Sequence, residues 1–322
     1  MASKAAFAER GCALFERILV PLDTSQDAGQ VLPYVQTFAK QLRVPVVLLA
    51  VIPDLGELNP VGSFYDAELA QLTEFRRHRA EEYLQSVCEQ FRSDGIQTTS
   101  VVEVGAIDDR IIATAEAQRA DLIAMATHGR VGPARLVLGS IADKVVRTST
   151  VPVLLIRPRE GSAAPERIEQ VLLPLDGSEQ AERAIPYATF LARAFKIPVT
   201  AIRDVPMTWI AGADPMGMSG AGPQVVQAIE DEAQQYIRAV ATRLRGEGLV
   251  AQAHFGAFSA PAADIVSLAE ETPGALVVMT SHGRSGLRRT ILGSVTDRVI
   301  RSSAAPVLVV PGLADASGPA GG

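Results

Sequence analysis

The sequence has few cysteines and no long apolar run, and these two shortages exclude whole classes of protein. Only two of its 322 residues are cysteine. Cys12 and Cys88 are therefore expected to be free thiols in a reduced compartment rather than parts of a disulfide scaffold. No stretch of about 18 uncharged apolar residues occurs, which is the length that a membrane-spanning helix needs. Charge interrupts every apolar run near the N-terminus, so no export signal is expected. These features predict a soluble, cytoplasmic protein with no membrane partner.

Positive charge is scarce as well. The chain has 30 Lys and Arg against 36 Asp and Glu, and its net charge of −6 gives no basic footprint for nucleic acid and no polybasic segment for a membrane. Because nucleic-acid surfaces and anionic membranes are bound by clustered basic residues, neither partner is expected. The hydrophobic content of 48% is typical of a folded protein. A chain of this length favours two domains of about 150 residues each.

The chain repeats itself. The segment FERILVPLDTS matches IEQVLLPLDGS, with Asp23 and Asp176 at the shared acidic position, 153 residues apart. Further along, THGRVGPARLVLGS matches SHGRSGLRRTILGS, with an offset of 154 residues at His128 and His282. Between the copies, RPREGSAAPER has the composition of a linker. We therefore expect two related domains, over residues 15–158 and 167–313.

Short β-branched and aliphatic runs alternate with helical patterns in each copy. In the first copy the runs are RILVPL, VPVVLLAVI, TTSVVEV, DLIAMAT and VPVLLIR. Apolar runs without strict alternation are typical of parallel strands buried on both faces, with helices as crossovers. The predicted fold class is α/β: two tandem, doubly wound domains, each built on a five-stranded parallel sheet.

The first helix of each copy has a recognisable start. Ser25 and Ser178 are placed to cap it. An apolar stripe follows in the first copy, formed by Val31, Leu32, Val35, Phe38, Ala39 and Leu42. Pro33 and Pro186 fall inside the expected helices, where a missing amide is expected to kink them.

A carboxylate follows the first strand of each copy. Ligands of open parallel sheets bind outside the carboxyl ends of the strands, at the switch point of the topology. Asp23 and Asp176 are placed to accept hydrogen bonds from a ribose or an adenine amine. An Asx turn that caps the next helix is an equally good interpretation.

A glycine-rich stretch follows the fourth strand. It contains Gly129, Gly132 and Gly139–Ser140 in the first copy, and Gly283, Gly286 and Gly293–Ser294 in the second. Glycine lets the backbone approach a phosphate closely, and the amides of a helix N-terminus favour an anion. Neighbouring arginines, including Arg130 and Arg284, are placed to add positive charge. The alternative is a tight structural loop, but two copies with the same glycine spacing favour the phosphate-binding interpretation.

Three motifs together resemble the universal stress protein family in its tandem form: PLD at the first strand, (T/S)HGR followed by Gly-x9-Gly-Ser, and a closing PVLLI-type strand. The resemblance covers both copies. It implies an adenine nucleotide alpha hydrolase-like fold that binds ATP with Mg²⁺. This sequence departs from the family's G-x2-G-x9-G-[ST] motif at the first glycine, which is Ala126 in the first copy and Thr280 in the second. The position whose backbone contacts adenine in the family is Val51 in the first copy and Asp204 in the second. The implied nucleotide-binding residues are Pro21, Asp23, Val51, Ala126, His128, Gly129, Arg130, Gly139, Ser140, Pro174, Asp176, Asp204, Thr280, His282, Gly283, Arg284, Gly293 and Ser294.

No metal-binding spacing of His, Cys and Asp is present, so His128 and His282 are expected to orient the glycine turn or touch phosphate. No GxxxxGK[ST] loop and no GxSxG motif occur. The leading hypothesis is an ATP-binding stress regulator with at most slow hydrolysis or autophosphorylation, which acts on an unknown protein partner. The second is a nucleotide-free interaction scaffold of the same fold. A third, an adenine-nucleotide hydrolase, lacks further catalytic motifs.

The closing strands VPVLLI and APVLVV suggest how the copies are arranged. The resemblance implies that these last strands pair, either within one chain as a pseudo-dimer or between two chains as a homodimer. Such pairing covers exposed strand edges.

Overall fold

A computed structural model gives the fold of the chain. It describes residues 14–54, 66–127, 138–158, 167–206, 223–281 and 292–312.

The first half alternates strands and helices as its apolar pattern predicts. Its elements are β1 (Ile18–Pro21), α1 (Gln26–Gly29), α2 (Leu32–Leu42), β2 (Val46–Ile52), α3 (Asp66–Ser93), β3 (Thr98–Val104), α4 (Ile107–Ala117), β4 (Leu122–Ala126), α5 (Ser140–Thr148) and β5 (Val153–Ile156).

The second half repeats this order. Its elements are β6 (Gln170–Pro174), α6 (Glu179–Glu182), α7 (Ala184–Phe195), β7 (Val199–Pro206), α8 (Pro223–Gly246), β8 (Ala251–Ser259), α9 (Pro261–Glu271), β9 (Ala275–Thr280), α10 (Ser294–Ser302) and β10 (Val307–Val310). The prediction of five strands in each half is confirmed.

All ten strands belong to one sheet, in the order β3-β2-β1-β4-β5-β10-β9-β6-β7-β8. Neighbouring strands are parallel within each half. β5 and β10 run antiparallel, with Leu154 opposite Leu308. The last strands of the two halves thus pair within one chain, as the pseudo-dimer arrangement predicts.

Helices cover both faces of this sheet, which is why inner strands such as β4 and β9 are apolar on both sides. On one face α2, α3, α7 and α8 pack on a core that includes Phe38, Leu84 and Phe91. On the other, α4, α5, α9 and α10 pack on a core that includes Ile111 and Val299. Each half is therefore doubly wound, as predicted.

Aromatic side chains join the halves outside the sheet. The ring of Phe15 lies 5.9 Å from that of Tyr187 and 5.8 Å from that of Phe190, centroid to centroid. Phe38 of α2 meets Phe195 of α7 edge-on at 5.2 Å. Edge-to-face pairs, here Phe15–Phe190 and Phe38–Phe195, add to the stabilisation from burial, so the two halves share a core as well as a sheet.

The first helix of each half begins as expected but is interrupted. The Ser25 hydroxyl accepts a hydrogen bond from the amide of Ala28, so the predicted cap is confirmed. The expected kink at Pro33 is wrong in detail, because the chain breaks into α1 and α2 and the proline lies in the first turn of α2. A first-turn residue has no intrahelical amide bond to lose, so proline is tolerated there. Pro186 lies in the first turn of α7 in the same way.

Two smaller observations concern the cysteines and the membrane. Cys88 is a buried free thiol in α3, and burial raises its pKa. Cys12 lies outside the described residues. Among the helices that the structure describes, none is long and apolar enough to cross a membrane.

Candidate functional site

The strand order places a switch point in each half. The chain leaves β1 towards β2 on one side and later returns to β4 on the other; β6 has β7 and β9 as the corresponding neighbours. In open α/β sheets ligands bind in the crevice at the carboxyl ends of such strands. Residues that follow β1 and β4, or β6 and β9, therefore meet at one edge of the sheet.

The two predicted carboxylates lie at this edge and shape tight turns. The Ser25 amide donates to Oδ1 of Asp23 at 3.0 Å. The amide and hydroxyl of Ser178 donate to Oδ1 of Asp176 at 2.9 and 2.5 Å. The Asx-turn interpretation is thus correct for both carboxylates. It leaves a ligand role open, because a carboxylate has about four lone-pair sites.

These turns require a left-handed backbone directly after the carboxylate. Gly177 has φ of 81°, and its counterpart Thr24 has φ of 62°. A β-branched residue in this region is a genuine outlier. The turn geometry is therefore the same in both halves, although only the second half has the residue that adopts it without strain.

The predicted glycines 139 and 293 are the N-caps of α5 and α10. The Gly139 amide donates to the Thr127 carbonyl at 2.9 Å, and the Gly293 amide donates to the Ser281 carbonyl at 2.8 Å. Neither glycine supplies a side-chain cap, so the first-turn amides that begin at Ser140 and Ser294 need another acceptor. A helix start of this kind favours an anion.

The second half has a cavity at this edge with a volume of about 320 Å³. Six residues implied by the resemblance line it together, namely Pro174, Asp176, Asp204, Thr280, Gly293 and Ser294. Ligand pockets in proteins usually measure about 300–1,000 Å³, so the volume suits a small molecule.

The first half places the corresponding residues at the same points of the fold. Pro21 ends β1, Asp23 follows it, Val51 lies in β2, Ala126 ends β4, and Gly139 and Ser140 begin α5. Six further residues implied by the resemblance lie outside the described part of the chain: His128, Gly129, Arg130, His282, Gly283 and Arg284.

Asp204 gives the second-half cavity an unusual charge. Its side chain is only 7% exposed, and its Oδ1 has no hydrogen-bond partner among the described residues. Burial, followed by the nearby negative charge of Asp264, raises the pKa of Asp204 to about 7, against the opposing effects of Arg203 and the Gly256 amide. The carboxyl group is therefore close to half-protonated at neutral pH.

Gly256 provides the room for these two carboxyl groups. A Cβ at this position would lie 1.9 Å from Oδ1 of Asp204 and 2.9 Å from Oδ2 of Asp264. The first half has Glu103 at the corresponding strand position, and its carboxylate lies 3.8 Å from Arg110 of α4. The pair of acidic groups is thus particular to the second half.

Three polar residues of the second half were missed by the sequence analysis. Arg203 lines the cavity and is only 4% exposed. The Tyr236 hydroxyl donates to Glu182 at 3.1 Å. Burial and then the charge of Glu182 raise the pKa of Tyr236, and Arg203 opposes this rise. An alignment of the two copies could have revealed these residues. Arg203 and Glu182 of the second copy align with the uncharged Ala50 and Gly29 of the first.

The described residues contain no group of three or more His, Cys, Asp or Glu that could hold a metal ion. Oxygen atoms are nonetheless present at the edge of the cavity, in the Asp176 carboxylate and the Ser294 hydroxyl. Mg²⁺ prefers such ligands and usually shares them with substrate phosphates and water. The residues present therefore fit a magnesium ion that arrives with a phosphate group.

Comparison with known proteins gives matches over both halves. The model of the universal stress protein family matches residues 14–157 and again residues 167–311. The universal stress protein MJ0531 of Methanocaldococcus jannaschii is 30% identical over 142 residues, which is 44% of this chain and 81% of that protein. A universal stress protein of Mycolicibacterium smegmatis is 25% identical over 296 residues, 91% of this chain and 96% of that protein.

Among solved structures, a universal stress protein of Archaeoglobus fulgidus aligns with a TM-score of 0.68. The alignment covers 94% of this chain and 99% of that one, at 24% identity. At this identity the likeness shows the fold.

Proposed function

The chain belongs to the universal stress protein family, as a tandem member, and from this premise we propose that both halves bind ATP with Mg²⁺ at the carboxyl edge of the sheet. In this proposal the bound nucleotide stabilises a conformation that another protein senses in the stress response. A ligand that binds only the folded state stabilises it by about 2.7 kcal/mol at a hundredfold excess over its dissociation constant.

The second-half cavity is the observation that carries the proposal. It joins a helix start at Gly293–Ser294, which has no side-chain cap among the described residues, to a carboxylate at Asp176. The helix start suits phosphates and the carboxylate suits a ribose hydroxyl or a hydrated magnesium ion. An apolar wall that includes Ile202, Ile265 and Met279 suits a planar base. The first half repeats the helix start and the carboxylate, which supports a second site.

Rapid turnover is not part of the proposal. The sequence lacks the lysine of a P-loop, and the resemblance to the family brings no general base. Hydrolysis or autophosphorylation is therefore expected to be slow if it occurs.

The pairing of the last strands limits how two copies of this chain could associate. Because β5 and β10 pair inside one chain, the surface that would join two single-domain chains through their last strands is already occupied. A homodimer of this chain, which remains a proposal, needs a different surface.

One observation favours the nucleotide-free scaffold as a second candidate. Ala126 and Thr280 stand where the ATP-binding motif has its first glycine, and Thr280 lines the second-half cavity. A side chain there takes space from a ribose or phosphate.

The test is to purify the protein without added nucleotide, denature it and identify what is released. Gly139→Asp and Gly293→Asp place a negative charge where phosphate is expected, and Gly139→Asn and Gly293→Asn are the uncharged controls. Both glycines have φ of −59°, which any residue adopts, so the backbone is not strained. We expect near-stoichiometric ATP or ADP that falls by half with each Asp variant and less with each Asn variant. No released nucleotide, together with no ATP–Mg²⁺ binding in calorimetry, would support the scaffold instead.

A further inference from the structure

The second-half cavity has two ends of different chemistry. The inference drawn from them concerns the same nucleotide site and rests on the proposed function. One end is the start of α10, which follows β9. The other lies at β7, where Asp204 and Pro206 line the cavity beside Pro261 and Ile265 of α9. Since β6 separates β9 from β7, the ends are about 10 Å apart, two strand spacings. Phosphates at the helix start therefore leave the β7 end for the base.

Asp204 is the acidic side chain at this base end. A buried polar atom without a partner is costly, and each such atom in a native protein needs an explanation. Oδ1 of Asp204 is such an atom: it lies against Gly256 and towards Asp264, in a side chain more than nine-tenths buried, and the residue itself lines the cavity. A ligand group on the cavity side of this carboxyl group would give it a hydrogen-bond partner that the described residues do not supply to Oδ1.

We propose that Asp204, as a neutral carboxylic acid, reads the hydrogen-bonding edge of adenine in the second half, so that ATP binding there takes up a proton. A neutral carboxyl group has one O–H donor and one carbonyl acceptor. Adenine offers an acceptor at N1 beside a donor at its 6-amino group, which complements this pair. An ionised carboxylate only accepts hydrogen bonds, so it faces N1 with repulsion. Val51 at the corresponding position of the first half has no such group.

The surroundings of Asp204 support the neutral form. Asp264 approaches from α9, Asp176 lies across the cavity after β6, and Arg203 is its neighbour on β7. On β8, His254 lies on the same side of the strand as Gly256 because side chains alternate. With the pKa of Asp204 raised to about 7 by burial and by Asp264, the acid is neutral below that pH and ionises above it. Affinity for ATP in the second half therefore falls as pH rises.

The experiment isolates each site in the full chain. Gly139→Asp leaves the second-half site, and Gly293→Asp leaves the first-half site as the control. Calorimetric titration with ATP–Mg²⁺ is made from pH 6 to pH 8.5, at each pH in two buffers of different ionisation enthalpy. We expect the second-half affinity to fall up to roughly 30-fold more than that of the first half across this range, as for one group with a pKa near 7. The titration of the triphosphate is common to both sites and cancels in the comparison.

Substitutions at Asp204 complete the test. Asp204→Asn keeps one donor and one acceptor but cannot ionise, so we expect tight binding that no longer depends on the extra proton. Asp204→Val introduces the first-half residue and is expected to remove the proton uptake. Asp264→Asn removes a negative neighbour and is expected to move the fall in affinity to lower pH.

The outcomes separate the two proposals. Second-half binding of ATP with the same pH profile as the first half, or an unchanged profile in Asp204→Asn, overturns the role of Asp204 and leaves nucleotide binding intact. A second half that binds no ATP at any pH, beside a first half that does, overturns it as well. Absence of binding in both halves overturns the proposed function and this inference with it.

Discussion

The two halves of the chain have the same strands and helices in the same order, yet the middle strand of one carries charges that the other lacks. In the first half β2 presents Ala50 and Val51 near the carboxyl edge, whereas β7 presents Arg203 and Asp204. Both charged residues are almost fully buried. The backbone frame of a duplicated domain is thus retained while the chemistry of its ligand edge changes.

The changes are accompanied by compensating ones nearby. Where Arg203 replaces Ala50, Glu182 replaces Gly29, and both act on Tyr236. Where Asp204 replaces Val51, the facing residue on the outer strand is Gly256 rather than Glu103, which makes room for the carboxyl group. Because a buried charge without compensation is strongly destabilising, we infer that these residues function as groups and can be transferred only as groups.

The largest effect on stability is expected when the arginine of the second half is introduced into the first half without the glutamate that accompanies it. Ala50→Arg places a guanidinium group in a buried position of the first half. An uncompensated buried charge costs about 3–5 kcal/mol, so we expect a loss of this size in the free energy of unfolding. Chemical denaturation of the full chain, followed by circular dichroism, measures it.

The double variant Ala50→Arg with Gly29→Glu is the control for this comparison. A Cβ on Gly29 meets the Tyr83 hydroxyl at 3.8 Å, an ordinary contact, so the added side chain fits there. We expect the glutamate to recover at least about 1 kcal/mol, as an added partner does for a buried charge. A double variant that is no more stable than Ala50→Arg alone would show that the groups are not transferable in this way.

A smaller effect is expected at Gly256. Gly256→Ala brings a methyl group against the carboxyl oxygens of Asp204 and Asp264. Overpacking of this kind costs about 1–3 kcal/mol, and the loss should be seen as a lower midpoint of urea unfolding. Glu103→Ala, at the same strand position of the first half, is the matched control and is expected to change stability by less than about 0.5 kcal/mol.

A second substitution tests whether the cost of Gly256→Ala comes from the Asp204 carboxyl group. Asp204→Ala removes the oxygen that the new methyl group would meet, so Gly256→Ala should cost much less in that background. An equal cost in both backgrounds would place the origin of the effect in the strand backbone rather than in the carboxyl group.

The local pattern of the sequence predicts the frame well. Strand positions and the caps at Ser25 and Ser178 follow from apolar runs and single side chains, which act over a few residues. The pairing of the last strands was implied by the resemblance to the family. The break before Pro33 was missed because proline is as well placed in the first turn of a new helix as in a kink. The roles of Arg203, Glu182 and Gly256 depend on which strands lie side by side, and no local pattern contains that information.

The smallest expected effect compares the turns after the two carboxylates. Thr24 and Gly177 occupy the same left-handed position, with φ of 62° and 81°. The left-handed conformation costs an ordinary residue about 1–2 kcal/mol, while glycine loses about 0.4–1 kcal/mol more entropy on folding. Thr24→Gly is therefore expected to raise the stability by about 0.5–1 kcal/mol, and Gly177→Thr to lower it by a similar amount. Urea unfolding of the full chain measures both, with Thr24→Asn as an intermediate case because asparagine tolerates this region better than threonine. A loss of stability in Thr24→Gly would mean that the contacts of the threonine side chain outweigh its backbone strain, and that the first-half turn is held by its side chains where the second-half turn is held by its glycine.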